Sequence, residues 1–252
     1  PGDMVILNDP YLGGTHLPDI TLVAPVYAEE NGVKKLAGFV ANRGHHADVG
    51  GMTPGSLPLS TELYQEGTII PPIKLVRGGR LNQEIIQLIC RNSRTPEERK
   101  GDLAAQIASI KVGERRLQEI IQRYGNDETQ EHMAALLDYS ERLTRQTISS
   151  IPDGVYEVLD YMDDDGLSEQ PVPIRVCVTV AADEITMDFT GTSPQRPGCI
   201  NAPQAVTVSA CLYVIRCIVG GDAPANQGCL RPVHIITPLG TLVNPEPQRG
   251  VA

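Results

Sequence analysis

Asn8-Asp9-Pro10-Tyr11-Leu12-Gly13-Gly14-Thr15-His16-Leu17-Pro18-Asp19 and Asn42-Arg43-Gly44-His45-His46-Ala47-Asp48-Val49-Gly50-Gly51 hold three of the five histidines of this 252-residue chain, with three aspartates and five glycines. The segment between them explains why the two clusters should meet. Ile20 to Tyr27 and Leu36 to Ala41 are apolar runs rich in β-formers, and Asn31-Gly32 lies between them. That dipeptide marks a two-residue hairpin turn. With the turn there, Leu22, Ala24 and Val26 face Ala41, Phe39 and Ala37, and Asp19 falls opposite Gly44. His16 to Asp19 then lies beside His45 to Asp48, where opposed side chains have Cβ atoms ~5 Å apart. Pro25 donates no ladder bond, which predicts a strand edge or a bulge.

Neutral imidazole nitrogen and carboxylate oxygen suit zinc, manganese or iron. His16, Asp19 and His45, with His46, Asp9 or Asp48 as further candidates, are read as holding one divalent ion with a position left for water. Either cluster alone reads more simply as aspartates capping turns and histidines bonding backbone in glycine-rich loops. It is the hairpin that turns two ordinary clusters into one candidate site.

A net charge of −10 without a basic run argues against a nucleic-acid or anionic-membrane surface. No apolar run approaches the ~20 residues that span a bilayer. The six cysteines form no CxxC pair, which points to reduced thiols and a cytoplasmic location. Cys199 and Cys229, in glycine-flanked loops, are weak nucleophile candidates. Pro1 falls inside a turn and Gly250-Val251-Ala252 stops without a terminating feature, so the chain reads as a fragment of a longer polypeptide with no visible targeting peptide.

The pattern predicts an α+β fold: mixed and antiparallel sheets with a long helical hairpin inserted in the middle. Residues 1–252 read as one domain in three regions: 1–80, β-rich with the metal site; 81–150, helical; and 151–252, β-rich with a buried helix. Thr95-Pro96-Glu97-Glu98 starts a helix, and Leu103, Ile107, Ile110, Leu117, Ile121 and Tyr124 give it one buried stripe. Ala205 to Val219 is nearly unbroken apolar sequence and predicts a fully buried helix. Asp163-Asp164-Asp165-Gly166 lacks the ligand alternation of a calcium loop and reads as an acidic turn. Glu62 and Glu66, Asp102 and Gln106, and Asn201 and Asn226 are weaker ligand candidates. Ser56 and Thr61 lie in no nucleophile elbow and read as packing residues.

Asn8-Asp9-Pro10-Tyr11, Gly14-Thr15-His16-Leu17-Pro18-Asp19, Arg43-Gly44-His45-His46-Ala47-Asp48, Pro54-Gly55-Ser56, Asp188-Phe189-Thr190-Gly191-Thr192 and Asn226-Gln227-Gly228 together resemble the hydantoinase B/oxoprolinase family. The resemblance implies the B-type subunit of an ATP-dependent amidohydrolase that opens a cyclic amide, such as 5-oxoproline or a hydantoin, with a metal-bound water. It implies a hetero-oligomer in which a separate A-type subunit or fused half handles ATP, and no P-loop is present here. The family's metal motif, carried over, falls on His16, Asp19 and His45, with His46 at a variable position. A nearby unligated carboxylate, Asp9 or Asp48, is the expected general base. Two other readings stand beside it: a subunit of a related ATP-dependent ketone carboxylase, and a non-catalytic partner subunit.

Overall fold

The computed structural model describes residues 1–30, 32–221 and 223–251. Asn31, where the sequence places the hairpin turn, lies outside them. The chain divides into two compact units, Pro1–Gln130 and Glu131–Val251, and the fold is α+β.

In the first unit, strands β1 (Met4–Leu7), β2 (Asp19–Glu30), β3 (Val33–His45), β4 (Ile73–Arg77) and β5 (Arg80–Leu81) form an antiparallel sheet in the order β3-β2-β1-β4-β5. Helices α1 (Gln83–Arg91) and α2 (Pro96–Tyr124) follow, and α3 (Asn126–Ile148) starts after Gly125. On β2 the even-numbered residues Ile20, Leu22, Ala24, Val26 and Ala28 are buried. Helix α2 covers that face: Leu117 lies against Gly38, Gly113 against Val40 and Gln106 against Gly44. Leu103 and Ile110 are buried as expected, but Tyr124 is exposed and the stripe includes the polar Gln106. Alternation along a strand then sends Asp19, Thr21, Arg43 and His45 to the opposite, open face.

The β2–β3 register departs from the expected one. It starts as predicted, from Glu30↔Val33 to Tyr27↔Leu36, then shifts between Val26 and Tyr27, so that Val26 pairs with Gly38 and Asp19 with His45. Ala37 is the extra residue of this bulge. It is buried against Ala28 and Ile121, and its carbonyl accepts a bond from Gln130 Nε2. Burial of one methyl group and capture of its carbonyl together stabilise the slip. As a result Phe39 pairs with Pro25, not Ala24, and is exposed on the open face. Pro25 lies beyond Val23, the last β2 residue paired with β1, so its missing N–H removes no bond of that ladder.

Strands β4 and β5 have no counterpart in the sequence pattern. Gly78 and Gly79 join them with φ of 52° and 80°, both positive as a tight hairpin turn requires.

In the second unit, β6 (Gly154–Met162), β7 (Val172–Ala181), β8 (Glu184–Asp188) and β9 (Val233–Ile236) form a sheet in that order, with β8 and β9 parallel. Val180, Ile185, Met187 and Val233 pack with Ile148 and with Cys211 and Ile215 of α4 (Gln204–Val219). The expectation of a fully buried α4 is corrected. Only the stripe Thr207, Cys211 and Ile215 is buried, while Tyr213, Val214 and Ile218 on other faces are exposed.

The acidic turn at Asp163–Gly166 is also more than a turn. Asp165 is buried and paired with Arg196 at 2.8 Å, so a guanidinium supplies the positive charge a calcium ion would bring. Burial opposes ionisation of Asp165, but bonds from the Ser168 and Leu167 amides and from Arg196 outweigh it and hold the carboxyl at about 2. Among the described residues, no helix is long and apolar enough to cross a membrane.

Candidate metal centre

The loop that carries His16 is held by Asn8, which is fully buried. Asn8 Nδ2 donates to the carbonyls of Leu17 (2.7 Å) and Thr68 (2.9 Å), and its Oδ1 accepts the Ile70 amide (2.7 Å). Gly14 closes the turn behind it: a Cβ there would lie 2.4 Å from the Asn8 carbonyl oxygen, a contact real side chains do not make. The sequence motif Asn-Asp-Pro thus begins with a clamp and not a ligand.

That clamp delivers His16 to the end of β2. His16 Nε2 lies 3.0 Å from Asp19 Oδ1, and His45 Nδ1 approaches the same oxygen at 2.9 Å from the facing strand. The two imidazole rings stand 5.1 Å apart between centroids. Among the described residues, His16, Asp19 and His45 each offer a ligand atom, and all three atoms lie within 4.8 Å of one another. An ion with ligands at ~2.1 Å in a tetrahedral shell spaces them ~3.4 Å apart. Small side-chain movements would therefore admit one. Two nitrogens and one carboxylate oxygen also form the mixed shell that first-row divalent ions favour, so the residues present fit the group.

The site is open to solvent on one side, with His45 53% exposed and Asp19 21%. Asp19 stays below the usual carboxylate range. Partial burial works against its charge, and bonds from His45, Thr15 and His16 more than offset this. Thr15 Oγ1 donates to Asp19 Oδ2 at 2.9 Å. Arg43 donates from Nη1 to Thr15 Oγ1 (3.2 Å) and from Nε to Thr21 Oγ1 (2.9 Å).

His46 does not join the cluster. Next along the strand from His45, it points to the covered face, where it is 1% exposed and its Nε2 lies 2.9 Å from Gln106 Oε1. Gln106 Nε2 donates to the Ile20 carbonyl and to Asn42 Oδ1, so its Oε1 is the acceptor and His46 Nε2 carries the proton. Desolvation lowers the His46 pKa, and the Gln106 bond opposes it less strongly.

Asp48 is likewise placed away from the ligand atoms. Its Oδ1 accepts from the Gly50 amide and Arg94 Nη1, and its Oδ2 from the Arg94 amide and Ser93 Oγ. Burial raises its pKa, and these bonds bring it below the ordinary value, which makes it a structural anion and a poor base. Asp9 Oδ1 accepts the Tyr11 amide at 2.9 Å, and its carbonyl accepts the Gly14 amide, so Asp9 shapes the turn that leads into Thr15 and His16.

Most of the weaker candidates are committed to structural contacts. Glu66 is buried and accepts from Ser60 Oγ, Asp102 pairs with Arg99, and Gln106 is the support of His46. Asn201 is buried and spans Arg196, Gly198 and Gly250. Asn226 caps a short turn and donates to Ser140 Oγ. Cys199 and Cys229 are both buried. Ser56, expected only to pack, has its Oγ 3.4 Å from His45 Nε2. Its only local signal is a loop of glycine and proline directly after the histidines, and Leu57 beside it adopts φ of 59°.

A family profile described as hydantoinase B/oxoprolinase matches residues 1–252. The chain belongs to the hydantoinase B/oxoprolinase family. A relative from Pseudomonas sp., provisionally named as the B component of a D-/L-hydantoinase, is 38% identical over 97% of this chain and 43% of its own length. The 5-oxoprolinase 1 of Arabidopsis thaliana is 38% identical over 99% of this chain and 21% of its own. This family member therefore spans less than half the length of the curated relatives it matches. Among solved structures, an ATP-dependent caprolactamase from Pseudomonas jessenii is similar with a TM-score of 0.88 and 30% identity, covering 99% of this chain and 43% of that one. An acetone carboxylase matches with the same TM-score at 18% identity over 99% of this chain and 34% of its own, a likeness of fold alone.

Proposed function

We propose that this chain is part of the B-type component of an ATP-dependent amidohydrolase that opens a cyclic amide such as 5-oxoproline or a hydantoin. In this reading an A-type subunit or fused half uses the ATP. Membership of the hydantoinase B/oxoprolinase family supports the reaction class, as does likeness to a structure named as an ATP-dependent caprolactamase. The observation that carries the reading is the convergence of His16 Nε2, Asp19 Oδ1 and His45 Nδ1 on the open end of the sheet.

A divalent ion of zinc, manganese or iron held there would supply Lewis acidity, acidifying water and polarising a carbonyl oxygen. The chain's own residues do the rest. His16, Asp19 and His45 would hold the ion, presented by strand ends and a clamped turn. The open face admits a ring substrate from the side where His45 is exposed. Of the two carboxylates considered as general base, Asp9 is preferred, because the oxygens of Asp48 are committed to Arg94, Gly50 and Ser93. Six cysteines without a CxxC pair fit a reducing, cytoplasmic setting.

The test uses the full-length protein co-expressed with its ATP-handling partner. Ring-opened product and ADP are measured with 5-oxoproline, hydantoins and caprolactam, and again with a ketone plus bicarbonate. Ring opening that disappears in His16→Ala supports the proposal. Product only in the carboxylation assay, or full ring-opening activity in His16→Ala together with no stoichiometric metal by elemental analysis, would refute it.

A further inference from the structure

The geometry points to an outer shell around the cation site that the sequence motifs did not assign. We infer that Thr15, backed by Arg43, and Ser56 decide which atoms of Asp19 and His45 face the ion. This inference rests on the cation-site reading and adds positioning residues to it.

Asp19 has two oxygens, and only one is offered to the histidines. Thr15 Oγ1 holds Oδ2 at 2.9 Å, leaving Oδ1 to His16 and His45. The direction of that bond is fixed from behind. Arg43 has no acceptor, so its Nη1 must donate to Thr15 Oγ1, and the Thr15 proton is turned to Asp19. Arg43 is itself fixed by Thr21, its neighbour across the ladder, and by the Gly13 carbonyl. The chain Arg43→Thr15→Asp19 therefore orients the carboxylate without touching the ion.

Ser56 acts on His45. His45 Nδ1 lies 2.9 Å from a carboxylate oxygen of Asp19 and donates to it. In the neutral ring, Nε2 is then an acceptor, and Ser56 Oγ is 3.4 Å away to donate. With an ion at Nδ1, that nitrogen must present a lone pair and the ring proton must sit on Nε2. One proton leaves Nδ1 for water and one arrives at Nε2 from water, so the ring stays neutral. A hydroxyl both donates and accepts; by turning its proton, Ser56 serves both tautomers. Alanine serves neither, and threonine serves both.

The experiment titrates zinc into the full-length protein against a chromophoric chelator, for wild type, His16→Ala, Thr15→Val, Ser56→Ala and Ser56→Thr, with circular dichroism melting as the folding check. Partners of metal ligands are worth ~10–100-fold in affinity, so Thr15→Val and Ser56→Ala should each weaken zinc binding by about that factor at unchanged melting temperature. Ser56→Thr should stay within about threefold of wild type. In ¹⁵N-histidine spectra of wild type, zinc should move the His45 proton from Nδ1 to Nε2. If His16→Ala abolishes zinc binding while Thr15→Val and Ser56→Ala bind as wild type, the outer shell is refuted and the metal centre stands. If His16→Ala binds zinc normally, both fall.

Discussion

Asp19 and His45 are direct partners across β2 and β3, and the pairing exists because Ala37 is squeezed out of the ladder as a bulge. In the unbulged register Asp19 would face Gly44, and His45 would lie one position further along. The slip brings the two side chains to 2.9 Å on the open face, while α2 covers the other face. A packing decision near the hairpin turn thus sets the geometry of a candidate site at the far end of the same two strands.

On the proposed metal-centre reading, Asp19→Asn should leave the fold intact and abolish metal binding. Asp19 is partly exposed and its neighbours are polar, so a neutral amide of the same shape costs little packing. The amide lacks the negative charge that a divalent ion requires of its carboxylate ligand. Elemental analysis of the purified full-length variant should find metal well below one equivalent, with a melting temperature near that of wild type. Retention of a full equivalent would remove Asp19 from the ligand set.

Asn8→Ala should destabilise the protein by about 3 kcal/mol. It leaves the buried Leu17 carbonyl, the part-buried Thr68 carbonyl and the Ile70 amide without the partners that Asn8 supplies, and each unsatisfied buried group costs ~1–3 kcal/mol, partly relieved by relaxation. Urea denaturation reads the loss directly. A change under about 1 kcal/mol would mean that water replaces the clamp. The same variant should weaken zinc binding, since the loop that presents His16 loses its anchor.

Gln106→Leu tests the assignment of His46 to the covered face. The substitution keeps the volume but strands His46 Nε2 and frees the Ile20 carbonyl. A loss of ~1–3 kcal/mol in urea denaturation is expected, with little change in zinc affinity. A large fall in zinc affinity at unchanged stability would return His46 to the metal site.

The strand pairing and the meeting of His16, Asp19 and His45 are legible in residue types and spacing, because a hairpin with polar clusters at both ends has few ways to fold. The one-residue slip is not legible: the cavity that Ala37 fills is formed by Ile121, far away in sequence. The separation of His46 from His45 is legible in principle, since neighbours on a strand cannot both face one ion. Asp48 and Arg94 are brought together by tertiary folding, and no local pattern announces such a pair. The apolar run of α4 reveals its helical state but not its burial, because hydrophobicity alone does not say which faces are covered.

Acid should weaken the second unit through Asp165. Its carboxyl stands at about 2 in the fold against an ordinary value of 3.8, so the folded state binds its proton less readily than the unfolded chain. The stabilisation is fully present above about pH 4 and is lost as pH falls from there through about 2. Asp165→Asn removes the charge that makes this contribution and leaves Arg196 without its anion. In urea denaturation at pH 6 the variant should be clearly less stable than wild type, and near pH 2 the gap should narrow. A gap that stays constant over that range would mean that the carboxylate's charge contributes nothing and that its amide-accepting shape alone matters.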